Sequence, residues 1–333
     1  MAYKFSFFDV VPIVVGGSVA QSLANVADLA REAESHGYHR YWVAEHHGMP
    51  GIASAATAVV IGHIAAATST IRVGAGGIML PNHSPLVIAE QFGTLDALFP
   101  GRIDLGLGRA PGSDQIVAHA LRRSLTSDAN EFPADVAELQ SLFADDGRSG
   151  IRATPGGGAR PEMWILGSSL FGAQLAASMG LPFAFASHFA PDSLDRAMEI
   201  YRRHFRPSVQ LPQPYAMAGF NVFAADTDAE AELLSSSSQQ WFRALRSGMP
   251  GRLPRPVPNY RTSLSAGERA GIDQMMQCTV IGGPEKVADG IAAFVKRTGI
   301  DEILITSAIY DHDARKHSMQ IAAAAMQPDL IAA

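Results

Sequence analysis

Short apolar runs alternate along the chain with longer amphipathic stretches, and one kind of junction joins them repeatedly. In "SHGYHRYWVAEH", "FPGRIDLGLG", "SMGLPFAFASH" and "RTGIDEILITS" a helical pattern ends at a glycine, passes a short link and enters an apolar run. Gly37, Gly180 and Gly299 stand where a helix closes on a left-handed residue, and Tyr38, Leu181 and Ile300 supply the apolar contact that seals such an end. Helix starts are legible as well. "SVAQ" at 18–21 has capping-box spacing, while Ser84–Pro85 and Gly283–Pro284 put proline at a first helical position. In the helix opened by Pro284, Val287, Ile291, Phe294 and Val295 share one face.

The apolar runs predict strands near 4–11, 40–45, 71–79, 102–107, 163–167, 182–187, 215–223 and 302–307. Eight strand–helix units favour an α/β chain closed as a (β/α)8 TIM barrel, one domain over 1–333, ahead of an open doubly wound sheet. In such a barrel the carboxyl ends of the strands form one mouth, where Glu45, His46, His47, Gly76, Gly77, Arg109, Ser168, Ser169 and His188 then meet. The stretch 226–276 breaks the rhythm with "SSSSQQ" and the proline- and glycine-rich "SGMPGRLPRPVPNY". It reads as a long insertion and lid at the mouth, partly disordered without ligand. A shorter soft stretch, "DDGRSGIRATPGGGARP", covers 145–161.

Composition narrows the class. With 47% hydrophobic and 17% charged residues the chain can bury a large core. Asp and Glu (32) exceed Lys and Arg (26), a formal charge of -6, and no basic stripe is present, so nucleic acid is not an expected partner. The apolar start "MAYKFSFFDVVPIVVGG" lacks a basic region and carries Asp9 and Pro12. No run reaches the roughly 20 apolar residues a membrane span needs, and the expectation is a soluble cytoplasmic protein. Cys278 is the single cysteine and reads as a small core residue, with no disulfide and no cysteine metal cluster.

The candidate chemistry concentrates in three places. "AEHHG" admits a metal site, a hydrogen-bonded structural cap, or an acid–base site facing a ligand. Adjacent histidines on extended chain point apart, which counts against metal, and none is expected. Glycines at 74, 76 and 77 late in a buried strand point to a sharp bend or to the close approach of a flat ligand. "GLGRAPG" has Pro111 where a dinucleotide fingerprint needs glycine or alanine, so Arg109 is read instead as an anion contact or a surface ion-pair partner. "LGSSLFG" joins a strand to a helix, and Gly167, Ser168, Ser169 and Gly172 form either a phosphate cradle or an ordinary serine-capped start. Phe7, Phe8, Phe185 and Phe189 are candidates to line a pocket, or core.

Taken together, "RYWVAEHH", "IRVGAGGIMLPNHSPLVIAEQFGTLDALFPGRIDLGLGRAPG", "LGSS" with "AASMGLPFAFASHF", and "VIGGPEKVADGIAAF" resemble the luciferase-like flavin monooxygenases in the family's own order, over most of residues 4–325. The likeness is greatest to small bacterial oxidoreductases, some tied to natural-product tailoring such as antibiotic biosynthesis. The resemblance implies a barrel that binds FMN and uses its reduced form with oxygen on a hydrophobic organic substrate. Alternatives are a deazaflavin cofactor, or a flavin-binding protein without catalysis. It matches Gly76 and Gly77 to a non-proline cis peptide against the flavin ring and His46 to the histidine beside the ring's reactive face. Glu45 and His47 match its supporting neighbours, and Arg109, Ser168 and Ser169 match phosphate ligands. Two positions depart from light-emitting luciferases: Gly108 replaces a cysteine and Gly172 a threonine, so light emission is not expected. A separate flavin reductase and a homodimer formed through the helices after the second and third strands, with Glu90 near the interface, complete the expectation.

Overall fold

The computed structural model describes residues 3–110, 117, 120, 121, 131–148 and 150–327. Among them are nine strands: β1 (Lys4–Asp9), β2 (Arg40–Val43), β3 (Arg72–Met79), β4 (Ile103–Gly108), β5 (Glu162–Gly167), β6 (Phe183–Phe185), β7 (Ala216–Ala224), β8 (Thr279–Gly282) and β9 (Glu302–Thr306). The helices are α1 (Val19–Ser35), α2 (Thr57–Ala67), α3 (Pro85–Leu98), α4 (Phe132–Ala144), α5 (Leu170–Met179), α6 (Leu194–His204), α7 (Asp228–Arg246), α8 (Ala266–Met275), α9 (Pro284–Thr298) and α10 (His312–Met326).

Parallel pairing runs from β1 through β7, then β9 and back to β1, closing an eight-stranded barrel from the eight strands that the apolar runs predict. The open-sheet alternative is thereby excluded. β8 is a ninth strand that the sequence reading did not find; it pairs with Asn221–Ala224, the end of β7, outside the closed ring. "TVIG" is four residues long and runs directly into Gly283–Pro284, so its strand character is masked by the helix start that follows. The three helix-ending glycines adopt positive φ, at 75°, 65° and 59° for Gly37, Gly180 and Gly299. Ser18 caps α1 by accepting from Gln21 N at 3.1 Å, although the Gln21 side chain turns to Asn25 and leaves the box half formed.

The outward faces of the strands pack under the helices. Phe7 and Phe185 belong to this layer and are fully buried in it, so they are core and do not line a pocket. The inward faces fill the barrel. At its base Arg40 Nη1 donates to Asp104 at 2.9 Å and to Glu162 at 3.2 Å, and its Nε donates to Glu302 at 2.8 Å. The Trp42 and Trp164 indoles donate to Asp104 and Glu162, and their rings meet edge to face at 5.2 Å. Phe8, Met217 and Leu304 complete the fill above them.

This filling accounts for the strand glycines. A Cβ at Gly74 would come within 2.5 Å of Asp104, one at Gly76 within 3.0 Å of the Phe8 ring, and one at Gly77 within 2.7 Å of the Gly106 carbonyl. Each is required by packing inside the barrel, whatever lies above. The peptide joining Gly76 and Gly77 is cis.

The stretch 226–276, expected as an insertion partly disordered without ligand, carries α7, a 3-10 turn at Tyr260–Ser263 and α8. Its serine run lies inside α7, fully buried. Ser235 and Ser236 return hydrogen bonds to carbonyls three residues back, and Ser238 donates to the Ala308 carbonyl at 2.7 Å. Small hydroxyl side chains thus let the helix sit close on its neighbours; three of the four satisfy themselves, and the Ser237 hydroxyl is buried with no partner among the described residues. Trp241 packs with Ile52, Leu253 and Ala308, and Leu253 exchanges backbone hydrogen bonds with Ile13 and Val15. The segment therefore straps the loops that follow β1, β2 and β9.

Removing the guanidinium at the barrel base leaves two fully buried carboxylates, Asp104 and Glu302, without their shared cation. Arg40→Ala should cost about 3–5 kcal/mol of unfolding free energy. Urea denaturation followed by circular dichroism checks this, and a loss below about 1 kcal/mol would show that the base is not organised by that charge.

Candidate active site

The residues singled out in the sequence leave the sheet at the ends of four consecutive strands, β2 to β5. Val43 pairs with Ala75, so Ala44, Glu45 and His46 emerge beside Gly76 and Gly77. Glu45 is buried to 1% exposure, and its Oε1 accepts from His47 Nε2 at 2.9 Å and from His83 Nε2 at 2.8 Å. Its Oε2 accepts from the Met79 backbone at 3.3 Å. Burial pulls the carboxyl upward, but the hydrogen bonds and charges of His83 and then His47 outweigh it and hold it below its ordinary value.

His46 faces away from this cluster and hydrogen-bonds to no described residue. Burial lowers its pKa, against a partly opposing pull from Glu45. Glu45 and His47 act on His46 through their charges and make no hydrogen bond to it among the described residues. Neighbours on extended backbone project to opposite sides, and His47 takes the carboxylate side. His83 is the partner that sequence reasoning missed. It follows the short 3-10 turn Leu80–Asn82 after β3, and only the adjacency of β2 and β3 in the barrel brings it to Glu45.

The second group lies on the rims of β4 and β5. The Arg109 guanidinium stacks on the Phe171 ring at 4.0 Å, which brings it to the first turn of α5, and it has no ion-pair partner among the described residues. Ser169 is the N-cap of α5, yet its hydroxyl makes no capping bond; Ser168 is also exposed. The first-turn N–H groups of α5, a cation and two hydroxyls are thus left open together, the donor set an anion requires. Gly172, on the first turn of α5, also has a packing reason to be glycine. A Cβ there would lie 3.3 Å from both Gly167 Cα and the Phe183 ring, so Gly167 and Gly172 let helix and strand approach closely.

On the β6 side of the mouth, His188 lies against Phe8 at 5.2 Å between ring centroids. Its Nδ1 is buried without a hydrogen-bond partner and faces the Gly219 backbone, and burial brings its pKa down to about 4. Phe189 is half exposed beyond it and borders a cavity of about 370 Å³ with Leu245, Arg246, Gln274 and Met275.

Over residues 3–302 the chain matches the family model described as luciferase-like monooxygenase. A protein of Escherichia coli (strain K12) named luciferase-like monooxygenase is 53% identical over 319 residues, covering 96% of this chain and 95% of the relative. The N-acetyl-S-alkylcysteine monooxygenase of Bacillus subtilis (strain 168) is 37% identical over 236 residues, 69% of this chain and 70% of that one. Among solved structures, apo-MsnO8 aligns with a TM-score of 0.86 at 33% identity and 98% coverage of both chains. The barrel and its mouth define an enzyme of the flavin-dependent oxidoreductase class. The chain belongs to the luciferase-like monooxygenase family.

Buried groups at this mouth tie stability to pH. His188 has a folded-state pKa of about 4, below the ordinary 6.5, so the neutral form is favoured on folding. Its contribution is complete above about pH 6.5 and is lost as pH falls toward 4. Glu45, depressed below its ordinary 4.5, contributes above that value and is lost at still lower pH. Urea midpoints should therefore decline from pH 7.5 to 5, and His188→Asn should flatten that decline. An unchanged slope in the variant would rule out a buried neutral imidazole.

Proposed function

We propose that the chain is the oxygenase of a two-component system, taking reduced FMN from a separate flavin reductase and using it with oxygen to oxygenate an apolar organic substrate. The observation that carries this is the open anion cradle of Arg109, Ser168, Ser169 and the α5 N-terminus, one strand away from the glycine pair. No described residue forms a second, nicotinamide-binding domain, which supports a separate source of reduced flavin. No helix among the described residues is long and apolar enough to cross a membrane, in keeping with a diffusible partner and substrate.

The residues fit such a cofactor. The cradle suits a dianionic phosphate. The barrel is filled to the height of Phe8 and Trp42, so a planar ring cannot sink into it and would rest at the mouth against the side-chain-free backbone of Gly76 and Gly77. When bound, reduced FMN supplies two electrons and activates oxygen, one atom entering the substrate and the other leaving as water. Around it, this chain has four tasks. Arg109 and the serines hold the phosphate. His46, its protonated form disfavoured by burial, accepts or donates a proton at a free ring nitrogen. Glu45, through His47 and His83, fixes the loop that carries His46. The strap formed by α7 and Leu253 keeps water from the mouth. The cavity beside Phe189, apolar with an Arg246 and Gln274 edge, is within the size range of small-molecule sites and is the candidate entry for substrate.

The assembly reading is a homodimer through α2 and α3, which present Val59, Val87 and Leu98 to solvent at 73%, 44% and 64% exposure. A single monomer boundary at all concentrations in sedimentation velocity would refute it.

Reduced FMN mixed anaerobically with the protein and then with oxygen should reoxidise far more slowly than in free solution, as followed by rapid absorbance spectra. Arg109→Ala should weaken reduced-FMN binding at least tenfold, while His46→Ala should lower turnover at saturating reduced FMN. Tight binding of reduced deazaflavin with none of reduced FMN would transfer the cradle to that cofactor. Unaltered turnover in His46→Ala would remove the proton-transfer role.

A further inference from the structure

Glu45, His47 and His83 have a second capacity, separate from fixing the His46 loop. One carboxylate oxygen and two imidazole Nε2 atoms from different loops all lie within 4.8 Å of one another. The two imidazole–carboxylate separations, 2.9 and 2.8 Å, are below the roughly 4 Å that two ligand atoms can span across an ion with bonds of about 2 Å. The carboxylate is almost fully buried, whereas the His47 and His83 side chains keep 18% and 24% exposure, so an ion can reach them from the mouth. Two imidazoles and one carboxylate are the protein ligands of open zinc sites, in which the fourth position is left to water or another small ligand. Glu45 is anchored from behind by the Met79 N–H, which leaves Oε1 as the converging atom.

We propose that Glu45, His47 and His83 form a binding site for one divalent transition-metal ion of the zinc class. Ion binding replaces the two Nε2–H···Oε1 hydrogen bonds by two nitrogen bonds and one oxygen bond to the metal; each Nε2 gives up its proton and each ring carries its single proton on Nδ1, so that two neutral imidazoles coordinate. It clamps the loops after β2 and β3 through coordination where hydrogen bonds otherwise hold them. This site differs from the one that adjacent His46 and His47 would have made, because His46 projects to the other side. It stands apart from the phosphate cradle, none of whose residues is a ligand here, and shares with the flavin reading only the loop that carries His46.

The test is equilibrium dialysis of the full, tag-free chain against Zn²⁺, with metal content measured per chain, and against Co²⁺ for its visible absorption. One Zn²⁺ per chain and a cobalt spectrum of tetrahedral intensity are expected. His83→Gln and His47→Gln, whose amides can still donate to Glu45, should each weaken binding at least tenfold. His312→Gln, which alters a surface histidine paired with Asp28, should leave it unchanged. Thermal melting by circular dichroism confirms that the variants are folded. No binding above that of a folded His47→Gln/His83→Gln double variant, or equal loss in His312→Gln, would overturn the site. Either result would leave the FMN experiment unaffected.

Discussion

The base of the barrel is organised around Arg40, a fully buried cation, with Arg72 beside it on Asp104 and Glu162. Arg40, on β2, touches Asp104 on β4, Glu162 on β5 and Glu302 on β9, so one guanidinium ties together half of the ring. Burial alone would depress its pKa, yet the three carboxylates, Asp104 foremost, hold it raised. Buried ion pairs bring little net stability, because removing the charges from water costs about as much as their attraction returns. What the arrangement enforces is register. A one-residue slip of β2 would turn Arg40 and Trp42 out of the barrel and strand three acids inside it.

Everything at the mouth is set by that register. With Arg40 and Trp42 facing inward, Ala44 does too, and the chain leaves the strand with Glu45 against β3 and His46 on the other side. The indole pair above the base in turn forces glycine on β3, since Gly76 sits against Phe8 and Trp42. The smooth backbone at the rim is thus first a packing requirement of the floor below it. A flat ligand would use a surface that the barrel had to make anyway.

Much of this was legible in the sequence, and the reasons for the gaps are physical. The eight barrel strands, the glycine caps and the grouping of "AEHH", Arg109 and "GSS" at one mouth follow from periodicity and turn chemistry, which are local. His83 was not legible, because 38 positions separate it from Glu45 and only parallel pairing of neighbouring strands brings them together. The charged residues of the base were hidden for the same reason: an arginine opening "RYWV" looks like a strand end, and its three acids lie on three other strands. "SSSSQQ" misled because serine favours loops when exposed, whereas here the hydroxyls of Ser235, Ser236 and Ser238 are absorbed by the helix's own carbonyls and by Ala308. The approach of α5 to β5 at Gly167 and Gly172 was not legible either, because it depends on how closely helix and strand pack.

The segment that straps the loops after β1, β2 and β9 carries Trp241, whose indole donates to the Gly251 carbonyl, while the other two tryptophans of the chain meet edge to face in the base. The protein's ultraviolet fluorescence therefore divides by location. Two emitters are sealed beside a guanidinium and carboxylates in the barrel base, and one lies in the segment packed on the loops after β1, β2 and β9. Replacing Trp241 by phenylalanine leaves the emission of the floor alone, and the difference between the two spectra is an optical record of that segment.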